Sequence, residues 1–502
     1  MSWRSIILTA AIFFAAWVDR AAAASPARLF VIDPAPLRPA EQTMLATLQG
    51  LANRTNAQVW LRTGGMSEIL LQRLAREGTA LQTRTSVWQL VEEFRSAIAG
   101  AVIVDLRSDS LNAATSLAGL LNGVVADSTL TNELAAAGLP VIADARGLTD
   151  ADVFEKHRSE FARGIAVEQV RSKHYHLRDW AVAKRAFTFS TTNASEQTRY
   201  VKELGPLTEV FGWGLDERKL VEHVSQGGGA VIPADWSLNL SAMQHLAAAI
   251  PDRKLLELPD VRPDERIVCF VMTDGDNVQF MAGGFVTAPG FWANTNRGGF
   301  AMTWEMPPIL ARIAPPALAH YFETAMPNDD FVTGPSGFGY YFPNHVPDRA
   351  AHALKTAGMM KKSKLRIASV LNSGGSMADA RELLGHPEID AVFYKDYAPY
   401  NRPRGRVDWY SGKPAIGYRF VLWGNKPENF PAGVASAIAS MPNHPKSPED
   451  RFALINVHAW SFRELGGPMG AVAETIRRLP TGTRVVTATH FVELLKRANA
   501  DK

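Results

Sequence analysis

Four carboxylates in the second half of the chain stand where apolar runs end. Asp274 and Asp276 follow IVCFVMT in the segment TDGDN, Glu305 sits near the end of GFAMTWEM, and Asp396 closes AVFYKD. Paired carboxylates suit glycoside hydrolysis, in which one protonates the leaving oxygen and the other acts as nucleophile or as base for a water. Glu305 is the candidate general acid, because Trp304 beside it would withdraw it from water and raise its pKa. Asp276 or Asp396 then fills the second role, leaving Asp274 and Asn277 to hold substrate hydroxyls. A lone Asp at a strand end is often a cap or a turn former. Several converging on one rim make a site.

Aromatic side chains accompany these carboxylates. Residues 334–347 read GPSGFGYYFPNHVP, which sets Tyr340 and Tyr341 on a stretch of backbone made pliable by glycine. Tyrosine offers a flat apolar face with a polar rim, which fits a partner that is both apolar and hydroxylated, such as a sugar. Trp304, Tyr340, Tyr341, Tyr397, Trp423 and Trp460 are the candidate stacking residues, and His345, Arg419 and His458 are candidate polar contacts.

Two other chemistries compete. Asp274 or Asp276 could hold a divalent metal together with His458 or His490, as a carbohydrate deacetylase-like hydrolase would require. The segment is not a calcium EF-hand, since its glycine is in the second position and Phe285 stands where the closing glutamate belongs. No HxxxH pair is present, so the leading reading requires no metal and no cofactor. A non-catalytic carbohydrate-binding protein would carry the same aromatics. Serine and nucleotide chemistry find no support: there is no GxSxG elbow, and the glycines at 227–229 precede a strand rather than follow one. Cys269, the single cysteine, lies in an apolar run, so it reads as a buried thiol with no disulfide partner in the chain.

The elements that must position these groups alternate between strand and helix. In the second half, apolar runs at 267–273, 299–306, 331–337, 365–372, 391–396, 414–423, 452–460 and 484–489 are separated by helical patterns. Such alternation predicts a parallel sheet covered by helices. Seven or eight units within residues 265–498 fit a (β/α) barrel-like domain, whose active site would lie at the carboxyl ends of the strands. An open doubly wound sheet fits the same pattern. The first half predicts smaller α/β domains over residues 25–97, 98–168 and 169–257, with LPDVRPDER (258–266) as the linker.

Residues 1–24 read as a signal peptide, with Arg4, an apolar run from Ile6 to Trp17 and small residues at 21–24. The expected mature protein is exported to the periplasm or beyond. Its longest apolar runs fall short of the roughly 20 residues of a spanning helix. A formal charge of +3 over 502 residues, without a basic stripe, argues against nucleic acid as a partner.

The heptapeptide Gly337-Phe338-Gly339-Tyr340-Tyr341-Phe342-Pro343 resembles the signature of the GxGYxYP family of putative glycoside hydrolases. One position departs: Phe342 stands at the family's second tyrosine, which removes a hydroxyl and keeps a ring. TLQGLANR (47–54) and TDGDN (273–277) are also similar to family segments. The resemblance implies an exported multidomain protein with a barrel-like C-terminal domain and a role in carbohydrate processing.

Overall fold

The computed structural model describes residues 25–442 and 447–500. The expected signal peptide lies outside the described residues. Three small parallel sheets come first. In the first, β1 (Arg28–Ile32) lies between β2 (Val59–Leu61) and β3 (Ala80–Arg84). In the second, β4 (Gly100–Val104) lies between β5 (Gly123–Asp127) and β6 (Val141–Asp144). The third is built from β7 (Ile165–Glu168), β8 (Phe187–Phe189), β9 (Glu209–Phe211) and β10 (Ala230–Ile232), in the order β10-β9-β7-β8.

The C-terminal part carries, among the described residues, ten strands in two sheets. They are β11 (Arg266–Met272), β12 (Met302–Met306), β13 (Asp329–Thr333), β14 (Ile367–Asn372), β15 (Ala391–Asp396), β16 (Val407–Tyr410), β17 (Lys413–Gly417), β18 (Phe420–Leu422), β19 (Phe452–Val457) and β20 (Thr483–Val485). One sheet runs β13-β12-β11-β19-β18, with β20 also on β11, and the other runs β14-β15-β17-β16. The β16–β17 pair is antiparallel, at the edge of its sheet. Both sheets send alternate residues into one apolar cluster that includes Cys269, Val332, Phe393, Tyr418, Leu454 and Phe491. Strands buried in this way are apolar almost throughout, which is why the sequence shows them as continuous runs.

The strands of the expected barrel-like domain do not make one closed sheet among the described residues. Two local causes break the ladder. Between β13 and β14, side-chain hydroxyls replace main-chain partners: Ser369 N donates to Thr333 Oγ1 (2.9 Å) and Leu371 N to Ser336 Oγ (3.1 Å). Between β17 and β18 the chain changes neighbours, with Tyr418 N donating to Tyr394 O and Arg419 N to Leu454 O. No helix among the described residues is long and apolar enough to cross a membrane.

The glycine-rich aromatic stretch joins the third sheet to the C-terminal part. Tyr340 pairs with Val231 of β10 in an antiparallel bridge, by main-chain bonds of 2.8 and 2.9 Å. Gly339 makes this approach feasible: a Cβ there would lie 2.6 Å from Ile232 Cδ1 and 3.0 Å from Ala230 Cβ. Successive residues then fall into different cores. Phe338 and Tyr341 pack against His352 of the C-terminal part, whereas Tyr340 and Phe342 join the apolar cluster of the first three sheets, with Phe342 also meeting Tyr397.

Candidate functional site

The turn after β11 places Asp274 and Asp276 on the ends of β12 and β13. Asp274 adopts a left-handed backbone (φ 65°), which aspartate tolerates better than most residues. Gly275 must be glycine here, since a Cβ would lie 2.0 Å from the carbonyl oxygen of Glu305. Asp274 is half-buried, and its Oδ2 accepts from Thr273 Oγ1 (3.1 Å) and Ala459 N (3.4 Å). Asp276 is buried; burial, then the charges of Asp274, Glu305 and Glu217, push its carboxyl well above the usual range. Asn277 supports this turn, its amide reaching Asp274 O (3.0 Å) and Asp276 Oδ1 (3.4 Å).

Glu305 lies beneath, fully buried between the sheets. Its Oε1 accepts from Lys395 Nζ (2.9 Å) and Ser369 Oγ (2.5 Å), while Oε2 has no hydrogen-bond partner. Burial raises its pKa, and Lys395 opposes the rise. Trp304 is not the cause, contrary to the expectation from sequence. Neighbouring strand residues face opposite ways, and the Trp304 indole packs on Trp292 and Phe285 with Nε1 donating to Asp329 Oδ1 (2.9 Å).

Asp396 is engaged on all sides. Its Oδ1 accepts from Gly374 N (2.9 Å) and Tyr397 N (3.0 Å), and Oδ2 pairs with Arg402 Nη1 (3.1 Å). Its carboxylate fixes the loops after β14 and β15.

A fifth acid arrives from the third sheet. Glu217 opens the helix Glu217–Gln226, capped by Asp216, and its Oε1 accepts from Tyr340 Oη (3.2 Å). Burial, with the charge of Asp274 adding to it, raises its pKa from 4.5 to about 7. Sequence reasoning missed this residue because strand-end logic applied to the C-terminal part alone does not reach it. The signal it leaves in the sequence is β9 running into GWGLDER, a strand end followed by an acidic helix start.

Aromatic rings flank these carboxylates. Trp423 stacks on His458 (4.3 Å between centroids, 4° between planes) and on Tyr400 (5.7 Å), and Tyr400 meets Tyr397 edge-on. Burial followed by the charge of Asp274 pushes the Tyr400 hydroxyl up, and burial lowers the pKa of His458 against the pull of Asp274. Tyr340 is buried beside Trp213, and Arg218 lies over Tyr397 at 5.3 Å.

Other residues singled out from sequence lie elsewhere. Tyr341 is buried against His352 and Phe338, with its hydroxyl pushed up to about 12 by burial. Arg419 donates to the carbonyls of Asp450 (2.8 Å) and Phe452 (3.2 Å), at the amino end of β19 and away from the carboxyl ends. His345 is half-buried and bonds Ser373 O (3.3 Å). Trp460, 52 % exposed, lines a separate hollow of about 580 Å³ with Phe280 and Phe291. His490 bonds Leu256 O (2.9 Å), and its neighbour Thr489 binds Asp330 near the start of β13, so it does not join Asp274 or Asp276. Among the described residues, no group of three or more His, Cys, Asp or Glu could hold a metal ion.

The fold and the site together define a multidomain α/β protein in which a cluster of carboxylates and aromatic rings is shared by its third sheet and its C-terminal part. More specifically, the chain belongs to the GxGYxYP family. Models of the first, second and third domains of that family match residues 28–96, 98–161 and 164–245. The model described as the GxGYxYP putative glycoside hydrolase C-terminal domain matches residues 264–496. The crystal structure of a putative hydrolase from Bacteroides thetaiotaomicron VPI-5482 is similar, with a TM-score of 0.86 and 28% identity over 95% of this chain and 96% of that one. No curated protein matches the sequence.

Proposed function

We propose that the protein is an exported glycoside hydrolase acting on a polysaccharide or oligosaccharide, with Glu217 as general acid and Asp274 as the second carboxylate. The observation that carries this reading is Glu217, which the contact from Tyr340 Oη (3.2 Å) holds at the junction with the C-terminal part, and whose pKa of about 7, raised by burial and then by half-buried Asp274, leaves a large fraction protonated near neutrality. Glycosidases separate the roles of two carboxyls by environment in this way. Glu217 would give its proton to the glycosidic oxygen as the bond to the anomeric carbon breaks. Asp274 would attack that carbon, or take a proton from the water that does. Tyr400, Trp423 and Tyr397 would line the sugar subsite. Buried Asp276 and the Glu305–Lys395 pair would set the field beneath Asp274 without touching substrate. Family membership and the similar putative hydrolase support the class of reaction; the roles rest on the burial of Glu217 and its charge coupling to Asp274.

The test is reducing-end release from a broad polysaccharide panel by the mature chain, Glu217→Gln and Asp274→Asn. Cleavage by the parent and its loss in both folded variants is the expected result. A parental rate in either variant removes that residue from the scheme.

A further inference from the structure

The loops after β11 and β19 enclose a hollow of about 580 Å³. These strands are neighbours in one parallel sheet, and such sheets bind ligands outside the carboxyl ends of their strands. The volume falls within the range of small-ligand sites. Ala459 ties the hollow to the carboxylates, since it lines the wall while its N–H donates to Asp274 Oδ2 (3.4 Å). The two loops are fastened to each other, so the walls are built in advance. Asn294 Nδ2 donates to Pro289 O (2.6 Å) and Gly466 O (3.2 Å). Gly290 and Gly467 touch so closely that a Cβ on Gly467 would lie 2.7 Å from Gly290 Cα.

Two side chains of the hollow are open to a ligand. Trp460 keeps 52 % of its surface exposed, although Phe280 and Phe291 support its ring at centroid distances of 4.9 and 6.0 Å. An indole held from one side and open on the other is a platform for an apolar ring face. Arg463, three residues further along the loop, is exposed and forms no ion pair among the described residues. It is also the one charged residue in the hollow's described lining, which contains no carboxylate. A guanidinium in such a place favours an anion, and its planar fork matches a carboxylate.

We infer that this hollow is a subsite for a uronic acid residue of the substrate, its ring stacked on Trp460 and its carboxylate held by Arg463. A neutral sugar would use the indole and leave the charge idle; a free carboxylate would do the opposite. A uronate uses both. The choice of a sugar ring rests on the glycosidase reading, and it narrows that reading to uronate-containing polysaccharides, with this residue bound beyond the one at Asp274.

The experiment is titration calorimetry on the full mature chain carrying Glu217→Gln, which slows turnover on the proposed scheme. The ligands are trisaccharides of galacturonate, mannuronate and glucuronate, each beside its carboxyl-reduced neutral form. At least one acidic trisaccharide should bind about tenfold more tightly than its neutral form, as expected for a bond between charged groups. Arg463→Gln should erase that difference, and Trp460→Ala should weaken both forms about tenfold. Arg463 is exposed, so its variant decides the matter even if Trp460→Ala fails to fold. The subsite is overturned if no acidic form binds, if the acidic preference survives Arg463→Gln, or if a folded Trp460→Ala chain binds as before. Cleavage of neutral glycans alone, lost in Glu217→Gln, leaves the glycosidase reading standing and removes this subsite. Uronate binding that needs both residues, with no hydrolysis of any glycan by the parent, does the reverse.

Discussion

Glu217→Gln separates the acid from its surroundings with little change of shape, since the amide oxygen can still accept from Tyr340 Oη. The shift of the Glu217 pKa from 4.5 to about 7 has a catalytic consequence and a thermodynamic one. The catalytic one is a loss of about 10²–10⁴ in turnover of a natural glycan, the usual worth of a general acid. Aryl glycosides with strongly acidic phenols need no proton and should lose much less. The parent should show an alkaline limb near pH 7, where Glu217 gives up its proton, and that limb should vanish in the variant. The thermodynamic consequence concerns folding. Between about pH 4.5 and 7 the folded protein keeps a proton that the unfolded chain has released, so this contribution to stability is complete at acid pH and is lost as pH rises through 7. The full shift corresponds to about 3 kcal/mol, which solvent at the edge of a half-buried group reduces to roughly 1–2 kcal/mol. Melting temperatures measured from pH 5 to 8 should therefore rise for Glu217→Gln relative to the parent. A parental rate that stays flat from pH 6 to 9, together with a melting difference that ignores pH, would refute the reasoning.

Lys395→Met leaves Glu305 buried without its cation and should cost about 3–5 kcal/mol, seen as a lower urea midpoint; adding Glu305→Leu should restore much of it. Trp423→Ala, removing the ring stacked on His458 and Tyr400, should weaken oligosaccharide binding about tenfold while the melting temperature changes little. Equal losses of both would make the stack structural. Gly339→Val places a branched side chain against Ile232 and Ala230 and should cost about 1–3 kcal/mol. Because it pushes β10 from the C-terminal part, it should also move the alkaline limb of the pH profile downward as Glu217 gains water.

Much of the fold is legible in the sequence because parallel strands buried on both faces are apolar along their whole length. GVVAD and AVFYKD read directly as β5 and β15. β3 (ALQTR) and β16 (VDWY) escape because they are edge strands, partly exposed and polar. The run PAIGYRFVLW reads as one strand, yet the chain changes partners at Tyr418 and Arg419, an event governed by neighbours that a linear pattern does not contain. The same limit applies to the site. Asp274, Asp276 and Glu305 do converge, as strand-end logic predicts. Trp304 could have been placed correctly from the two-residue period alone. Glu217 could not, because its position depends on a contact between elements 123 residues apart.

That contact explains why the aromatic heptapeptide has its composition. A loop that only lined a subsite would expose its tyrosines, but Tyr340 and Tyr341 are buried, and Phe342 is fully so. Gly339 lets the backbone reach β10, Tyr340 bridges Val231 and carries its hydroxyl to Glu217, and the rings on either side enter two different cores. The missing hydroxyl at Phe342 is then no loss at this position: its ring packs among Tyr340, His345 and Tyr397, where a buried O–H would need a partner of its own. The stretch acts as a joint, and its one functional atom is Tyr340 Oη. On the proposed scheme the general acid comes from one side of this joint and the second carboxylate from the other. The N-terminal sheets then take part in the proposed chemistry, and a C-terminal part isolated from them would keep Asp274 and lose the acid assigned to work with it.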